Sequence, residues 1–188
     1  LVVVLGALGI HKDRTAKREA TAASVLFETR EAASKEVNTR KFDAAVERFQ
    51  DLMKRYAGTR AAYEARLVVG DIWMDAELPE KAAASYADAF SVAPDEFSRL
   101  LARYNESLAW ESGKGWEKAL EGYRDAMKFK GADFLKPELL MAQARCLEAL
   151  KRWTEARGVY EEIRRNFAEK SFYTNAATAF LNALPAGA

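Results

Sequence analysis

Small residues and aromatics recur along this chain at one fixed interval. Ala45, Ala82, Ala119 and Ala156 stand 37 residues apart each time. Four residues after each comes an aromatic (Phe49, Tyr86, Tyr123, Tyr160), and seven after comes Leu52, Ala89, Ala126 or Ile163. Three before stands Phe42, Pro79, Trp116 or Trp153, and twelve before stands a small residue, Ala33, Gly70, Ser107 or Ala144. Offsets of 3, 4 and 7 place residues on one face of a helix. A small residue lets two helix axes approach closely, and the aromatic one turn later fills the space between neighbouring hairpins. Each unit therefore reads as two antiparallel helices. The turns between them fall at Asn38-Thr39-Arg40-Lys41, Glu77-Leu78-Pro79, Ser112-Gly113-Lys114-Gly115 and Leu150-Lys151-Arg152. Pro79 suits a first-turn helix position, where a missing N–H costs nothing. A single hairpin cannot bury its apolar face alone, whereas stacked hairpins can.

These columns resemble the tetratricopeptide repeat (TPR). The second unit carries Gly70, Trp73, Ala82, Tyr86, Ala89 and Pro94; the third Ser107, Trp110, Trp116, Ala119, Tyr123 and Ala126; the fourth Leu140, Ala144, Leu147, Trp153, Ala156 and Tyr160. The first unit matches in its second helix, Phe42–Phe49, while its first helix around Thr21–Val37 is long and has Glu36 where an apolar residue is expected. The resemblance implies an all-α fold, a right-handed superhelical solenoid of TPR-like hairpins with a long N-terminal helix and a C-terminal capping helix. The expected division is four repeats over 26–170 (26–62, 63–99, 100–136, 137–170), followed by a capping helix and tail over 171–188. In that last segment Phe172, Ala176, Phe180 and Leu184 lie at helical spacing, and Pro185-Ala186-Gly187-Ala188 reads as a frayed end. The family's usual period is about 34 residues, so the connections between units are expected to be about three residues longer.

The N-terminus follows another pattern. Residues 1–10, LVVVLGALGI, are wholly apolar, and a helix of that length rises about 15 Å, half a bilayer core. We read it as the end of a membrane-spanning helix. A retained piece of signal peptide and an apolar helix packed on the domain are the alternatives. Residues 11–25 form a basic, polar juxtamembrane helix, opening with Lys12, Arg14, Lys17 and Arg18 against one acid, Asp13. His11 reads as an interfacial residue. The layout, together with Tyr56-Ala57-Gly58-Thr59 between the first two units, is similar to the YfgM-type ancillary subunits of the Sec translocon. That likeness implies a bacterial inner-membrane protein with its repeats in the periplasm and with envelope or translocon proteins as partners. The alternative is a soluble cytoplasmic TPR adaptor whose apolar N-terminus docks on its own domain or on a partner.

Composition narrows the chemistry. Lys and Arg number 29 against 28 Asp and Glu, a net charge of +1, which argues against nucleic acid as a partner. One Cys and one His exclude an intrachain disulfide, a Cys-based zinc site and most His-dependent catalysis. Gly113-Lys114-Gly115 lacks the length and the Ser/Thr of a phosphate loop. Cys146 on a predicted helix reads as a small buried residue. The four tryptophans recur by register, Trp73 with Trp110 and Trp116 with Trp153, as packing residues do. Asn105-Glu106-Ser107 is a sequon inside a predicted helix and reads as unmodified. No catalytic, cofactor-binding or metal-binding residues are expected, nor a small-molecule substrate. The chain reads as a non-catalytic interaction scaffold.

The resemblance also implies a binding face. In TPR units the second, fifth, ninth and twelfth positions of each first helix line the concave side. Carried over, these are Glu64, Leu67, Asp71 and Met74; Leu101, Tyr104, Leu108 and Glu111; and Glu138, Met141, Arg145 and Glu148. The set is apolar in the middle with mostly acidic edges, and suits a segment with apolar anchors and basic flanks. Leu67, Tyr104 and Met141 are equally open to a reading as core.

Overall fold

The computed structural model describes the backbone of residues 2–185 and the side chains of residues 12–185. The side chains of the apolar run and of His11, and the Ala186-Gly187-Ala188 tail, lie outside what is described. Among the described residues the chain is all-α. The helices are α1 (Val2–Asn38), α2 (Phe42–Arg55), α3 (Arg60–Asp75), α4 (Pro79–Ser91), α5 (Glu96–Ser112), α6 (Trp116–Ala126), α7 (Lys136–Ala149), α8 (Trp153–Asn166) and α9 (Ser171–Ala183), with a short 3-10 turn at Ala132–Phe134 before α7. The chain divides into two compact units, Leu1–Pro94 and Asp95–Ala188.

In the first unit α1 pairs with α2, α3 lies against both, and α4 pairs with α3. In the second, α5 pairs with α6, α7 packs on α6, α8 pairs with α7, and α9 packs on α8 and touches α7. Each hairpin forms for local reasons. Thr59 accepts a hydrogen bond from the Ala62 N–H (3.2 Å) at the start of α3, and Asp95 does the same for Ser98 N–H (2.7 Å) at the start of α5. Pro79 opens α4. All four hairpin turns have one geometry. Their central residues Arg40, Glu77, Lys114 and Lys151, again 37 apart, are left-handed, with φ of 58–61°. The following N–H reaches back five residues in each case: Lys41 to Glu36 O (2.8 Å), Leu78 to Trp73 O (2.9 Å), Gly115 to Trp110 O (2.7 Å) and Arg152 to Leu147 O (2.8 Å). This is the Schellman closure of a helix end.

The repeating columns share one environment. Ala45, Ala82, Ala119 and Ala156 are wholly buried, as are Phe49, Tyr123 and Tyr160, with Tyr86 buried beside them. The small column permits close packing: a Cβ on Gly70 would lie 2.6 Å from Tyr86 Cζ, and one on Gly122 would lie 3.2 Å from Ser107 Cβ. Cys146 is free and fully buried. Trp73 is buried with the Lys81 ammonium 4.1 Å above it, and Lys118 sits 3.9 Å above Trp110 one register later.

Three expectations need adjustment. The longer period does not lengthen every connection: 56–59 and 92–95 are short, and only 127–135, with its 3-10 turn, is extended. In α9 the buried face is Ala177 and Leu181, with Leu184 just beyond the helix; Phe172 is exposed, because Tyr173 rather than Phe172 turns toward the core of the second unit, and Phe180 stacks its ring 5.5 Å from Tyr160 while staying partly open to solvent. Glu36 is accommodated by Arg48, whose Nε donates to it at 2.9 Å; that hydrogen bond holds the carboxyl below its ordinary pKa.

Candidate functional site

The second unit carries the richer first-helix face. On α5, Phe97, Leu101, Tyr104 and Leu108 follow one another at helical spacing, Phe97 and Leu108 exposed and the middle pair half-buried. Phe134 stands beside Phe97 with ring centroids 5.9 Å apart. Tyr104 packs its ring 5.9 Å from Tyr123. On α7, Met141 is buried and belongs to the core, whereas Glu138, Arg145 and Glu148 remain partly accessible.

Polar chemistry on this face is organised by the tyrosine column. The Tyr123 hydroxyl donates to Glu111 Oε2 at 2.6 Å, and the Tyr160 hydroxyl donates to Glu148 Oε1 at 2.5 Å. Arg145 then donates from Nε and Nη2 to Glu111 (2.8 and 3.2 Å) and lies 3.8 Å from Glu138. Burial, and then the facing carboxylate, pushes both phenols far above the ordinary tyrosine range. Hydrogen bonds to Glu111 hold the Arg145 guanidinium more firmly protonated. Tyr104 and Tyr173 are also raised, by burial first and then by Glu138. The expected acidic edge is thus largely engaged by partners within the protein. Glu111 and Glu148 accept from core tyrosines, and Glu111 is further neutralised by Arg145.

In the first unit the four expected residues lie along α3. Leu67 and Met74 are half-buried, and Asp71 is exposed but takes the Tyr86 hydroxyl at 2.6 Å. Glu64 pairs with Arg60 (3.2 Å) and Arg30 (3.8 Å). Beside Glu64 lies an open groove of about 400 Å³ between α1 and α3, floored by Ala20, Ala23 and Ala61 and flanked by exposed Phe27. Sequence reading missed Phe27, because α1 departs from the repeat pattern.

A larger charged cleft of about 770 Å³ lies between α5 and α6. Its charges are cross-paired, Arg103 with Glu106 (2.8 Å) and with Asp125 (3.2 Å). Among the described residues, no group of three or more His, Cys, Asp or Glu is placed to hold a metal ion, and no helix is long and apolar enough to cross a membrane.

Antiparallel hairpins in one repeating register are the observation against which known proteins can be compared. No protein-family model matches the chain, and no curated protein matches it. Solved structures do. Two crystal structures of Podosopora anserina kinesin light chain nearly identical TPR-like repeats superpose with TM-scores of 0.58 and 0.57, at 14% and 13% identity, over 77% of this chain and 75% of theirs. The P58(IPK) TPR domain aligns over 91% of this chain and 48% of its own, at 18% identity and a TM-score of 0.44. The fold is that of TPR-like hairpins. At these identities the likeness speaks for the fold alone.

Proposed function

We propose that this chain is a non-catalytic protein-interaction scaffold of the bacterial envelope, tethered to the inner membrane through its N-terminal segment. The observation that carries the scaffold reading is the apolar stripe on α5, exposed at Phe97 and Leu108 with Leu101 and Tyr104 half-buried between them, beside the exposed Phe134 ring. Apolar side chains at helical spacing on an otherwise polar surface suit the apolar face of a partner segment. The tether reading is supported by the wholly apolar 1–10 run followed by Lys12, Arg14, Lys17 and Arg18, and by the unbroken helix α1 that joins the run to the first hairpin. The layout also supports kinship in role with YfgM-type translocon subunits, whose partners are envelope proteins.

Photo-crosslinking in native membranes tests the proposal. A photoreactive residue at Leu67 or Leu108 should give discrete protein adducts, and one at exposed Gly158 on α8 should not. Leu108→Glu should abolish the adduct trapped from Leu101 while leaving far-UV circular dichroism unchanged. Equal labelling from Gly158 removes the binding-face assignment, and full release of the chain from membranes by alkaline carbonate removes the tether.

A further inference from the structure

The first unit has one basic pole, and α1 runs on past that pole toward its apolar N-terminal end. Helix α2 runs antiparallel to α1 and ends beside it: the Arg18 guanidinium donates to Arg55 O (3.3 Å) and Ala57 O (3.1 Å). Helix α3 begins there too, its Arg60 N–H donating to Glu19 Oε2 at 3.1 Å. These bonds fix Lys54 and Arg55, the last two residues of α2, alongside Arg18 and its neighbour Lys17, with Arg14 and Lys12 one to two turns further along α1. All six side chains are exposed. The acids nearby are Asp13 and Glu19 on α1 and Asp51 on α2, and Glu19 is occupied by the α3 N-terminus.

Distance decides what this pole can reach. Eight residues separate Ile10 from Arg18, about 12 Å along an α-helix. The headgroup layer on one side of a bilayer is about 5–8 Å thick. If the apolar run ends at the hydrocarbon boundary, Lys54 and Arg55 stand about 5 Å beyond the headgroups, inside one Debye length of about 8 Å at physiological salt. Charges at that range feel the surface potential of anionic lipid.

We propose that this pole is a docking surface for an anionic phospholipid bilayer, with Lys54 and Arg55 of α2 contacting the surface together with the basic residues of α1. The proposal rests on the tether reading for its geometry but adds a distinct contribution, made by a helix that is remote in sequence from the apolar run. Its effect would be to hold the first hairpin against the membrane rather than leave it free on a stalk.

The test is flotation of the whole chain with vesicles of phosphatidylcholine, or of phosphatidylcholine with a third of its lipid replaced by phosphatidylglycerol. Two variants remove equal charge from exposed helix ends: Lys54→Gln with Arg55→Gln on α2, and Arg164→Gln with Arg165→Gln on α8. The expected result is tighter binding to the anionic vesicles, weakened on the order of tenfold or more by the α2 pair, weakened by added salt, and unchanged by the α8 pair. Equal loss from both pairs overturns the proposal, since net charge alone would then explain binding. Equal, salt-insensitive binding of all variants to both vesicle types also overturns it, while leaving the tether reading intact. Absence of binding to either vesicle removes both.

Discussion

Tyr123 on α6 donates its hydroxyl to Glu111 on α5, twelve residues earlier, at 2.6 Å. The same relation holds between Tyr160 and Glu148, also twelve apart. In the second hairpin Tyr86 finds its acceptor one turn further back, at Asp71, because Met74 occupies the equivalent place. In the first hairpin the aromatic is Phe49, which needs no acceptor, and Val37 stands twelve before it. A buried phenol must find a partner, and the chain supplies a carboxylate for each tyrosine of the column and none for the phenylalanine.

Exchange of these pairs should therefore be directional. Tyr123→Phe removes a hydrogen bond to a charged acceptor and should cost about 1.5–3 kcal/mol. Phe49→Tyr buries a hydroxyl with no carboxylate at the positions twelve or fifteen residues earlier, Val37 and Ser34, and should cost about 1–3 kcal/mol. Phe49→Tyr combined with Val37→Glu should recover part of that loss. Urea denaturation of these three variants, together with Val37→Glu alone, closes the cycle, and additive losses from Phe49→Tyr and Val37→Glu would show that the twelve-residue relation carries no coupling.

Alkaline stability should follow from the same phenols. In the unfolded chain they ionise near pH 10. In the folded chain burial, and then the carboxylate partners, raises all three, so the neutral form is favoured. Their contribution is intact below about pH 10 and is lost above it, by roughly 1.4 kcal/mol per pH unit for each tyrosine. The Cys146 thiol, pushed up to about 12 by burial, acts in the same sense from about pH 8.5 upward. Urea midpoints measured between about pH 8 and 12 should fall with this slope. Cys146→Ala should flatten the first part of the curve and Tyr→Phe changes the second. A level profile through that range would mean that these groups ionise within the folded protein.

The hairpins were legible in the sequence because their determinants are local and periodic. Ala82, Gly70 and Pro79 each announce a helix contact or a helix start by residue type alone. The candidate face was legible only in part. Glu111, Glu148 and Asp71 look like surface charge when read along their own helices, and their tyrosine donors lie across a turn. The signal was present in the repeats themselves, in tyrosine with an acid and phenylalanine with valine. Met141 could not be separated from Leu101 or Tyr104 by spacing, since burial there depends on how α9 covers α7. Phe172 and Tyr173 posed the same problem: adjacent aromatics on a short helix leave its facing ambiguous by one residue.

Two glycines in helices should respond oppositely to the same change. Gly70 sits under the Tyr86 ring, where a Cβ would lie 2.6–2.7 Å from two of its carbons, and that ring is buried. Gly70→Ala should destabilise by about 1–3 kcal/mol through overpacking, in spite of the better helix propensity of alanine. Gly158 has nothing within 4 Å of the Cβ position. Gly158→Ala should stabilise by about 0.5–1 kcal/mol. Changes of the same sign in thermal unfolding would place the close approach of α3 and α4 elsewhere.

The four hairpin turns offer a gain that does not touch the face. Arg40, Glu77, Lys114 and Lys151 each hold a left-handed backbone with a side chain attached, a conformation that costs an L-residue roughly 1–2 kcal/mol and glycine almost nothing. Glycine loses some of this through its freer unfolded chain, so Glu77→Gly should leave a net gain of about 0.5–1 kcal/mol. Glu77 is the cleanest site: its turn contains no other glycine, and Pro79 already fixes the start of α4. A gain of that size corresponds to a rise of about 1–4 °C in Tm for a chain of this length. Gly58, at φ 81°, is the matching control. Gly58→Ala has open space around the new Cβ, so any loss there comes from backbone conformation alone. A lower Tm for Glu77→Gly, or a higher one for Gly58→Ala, would mean that backbone handedness does not limit the stability of these turns.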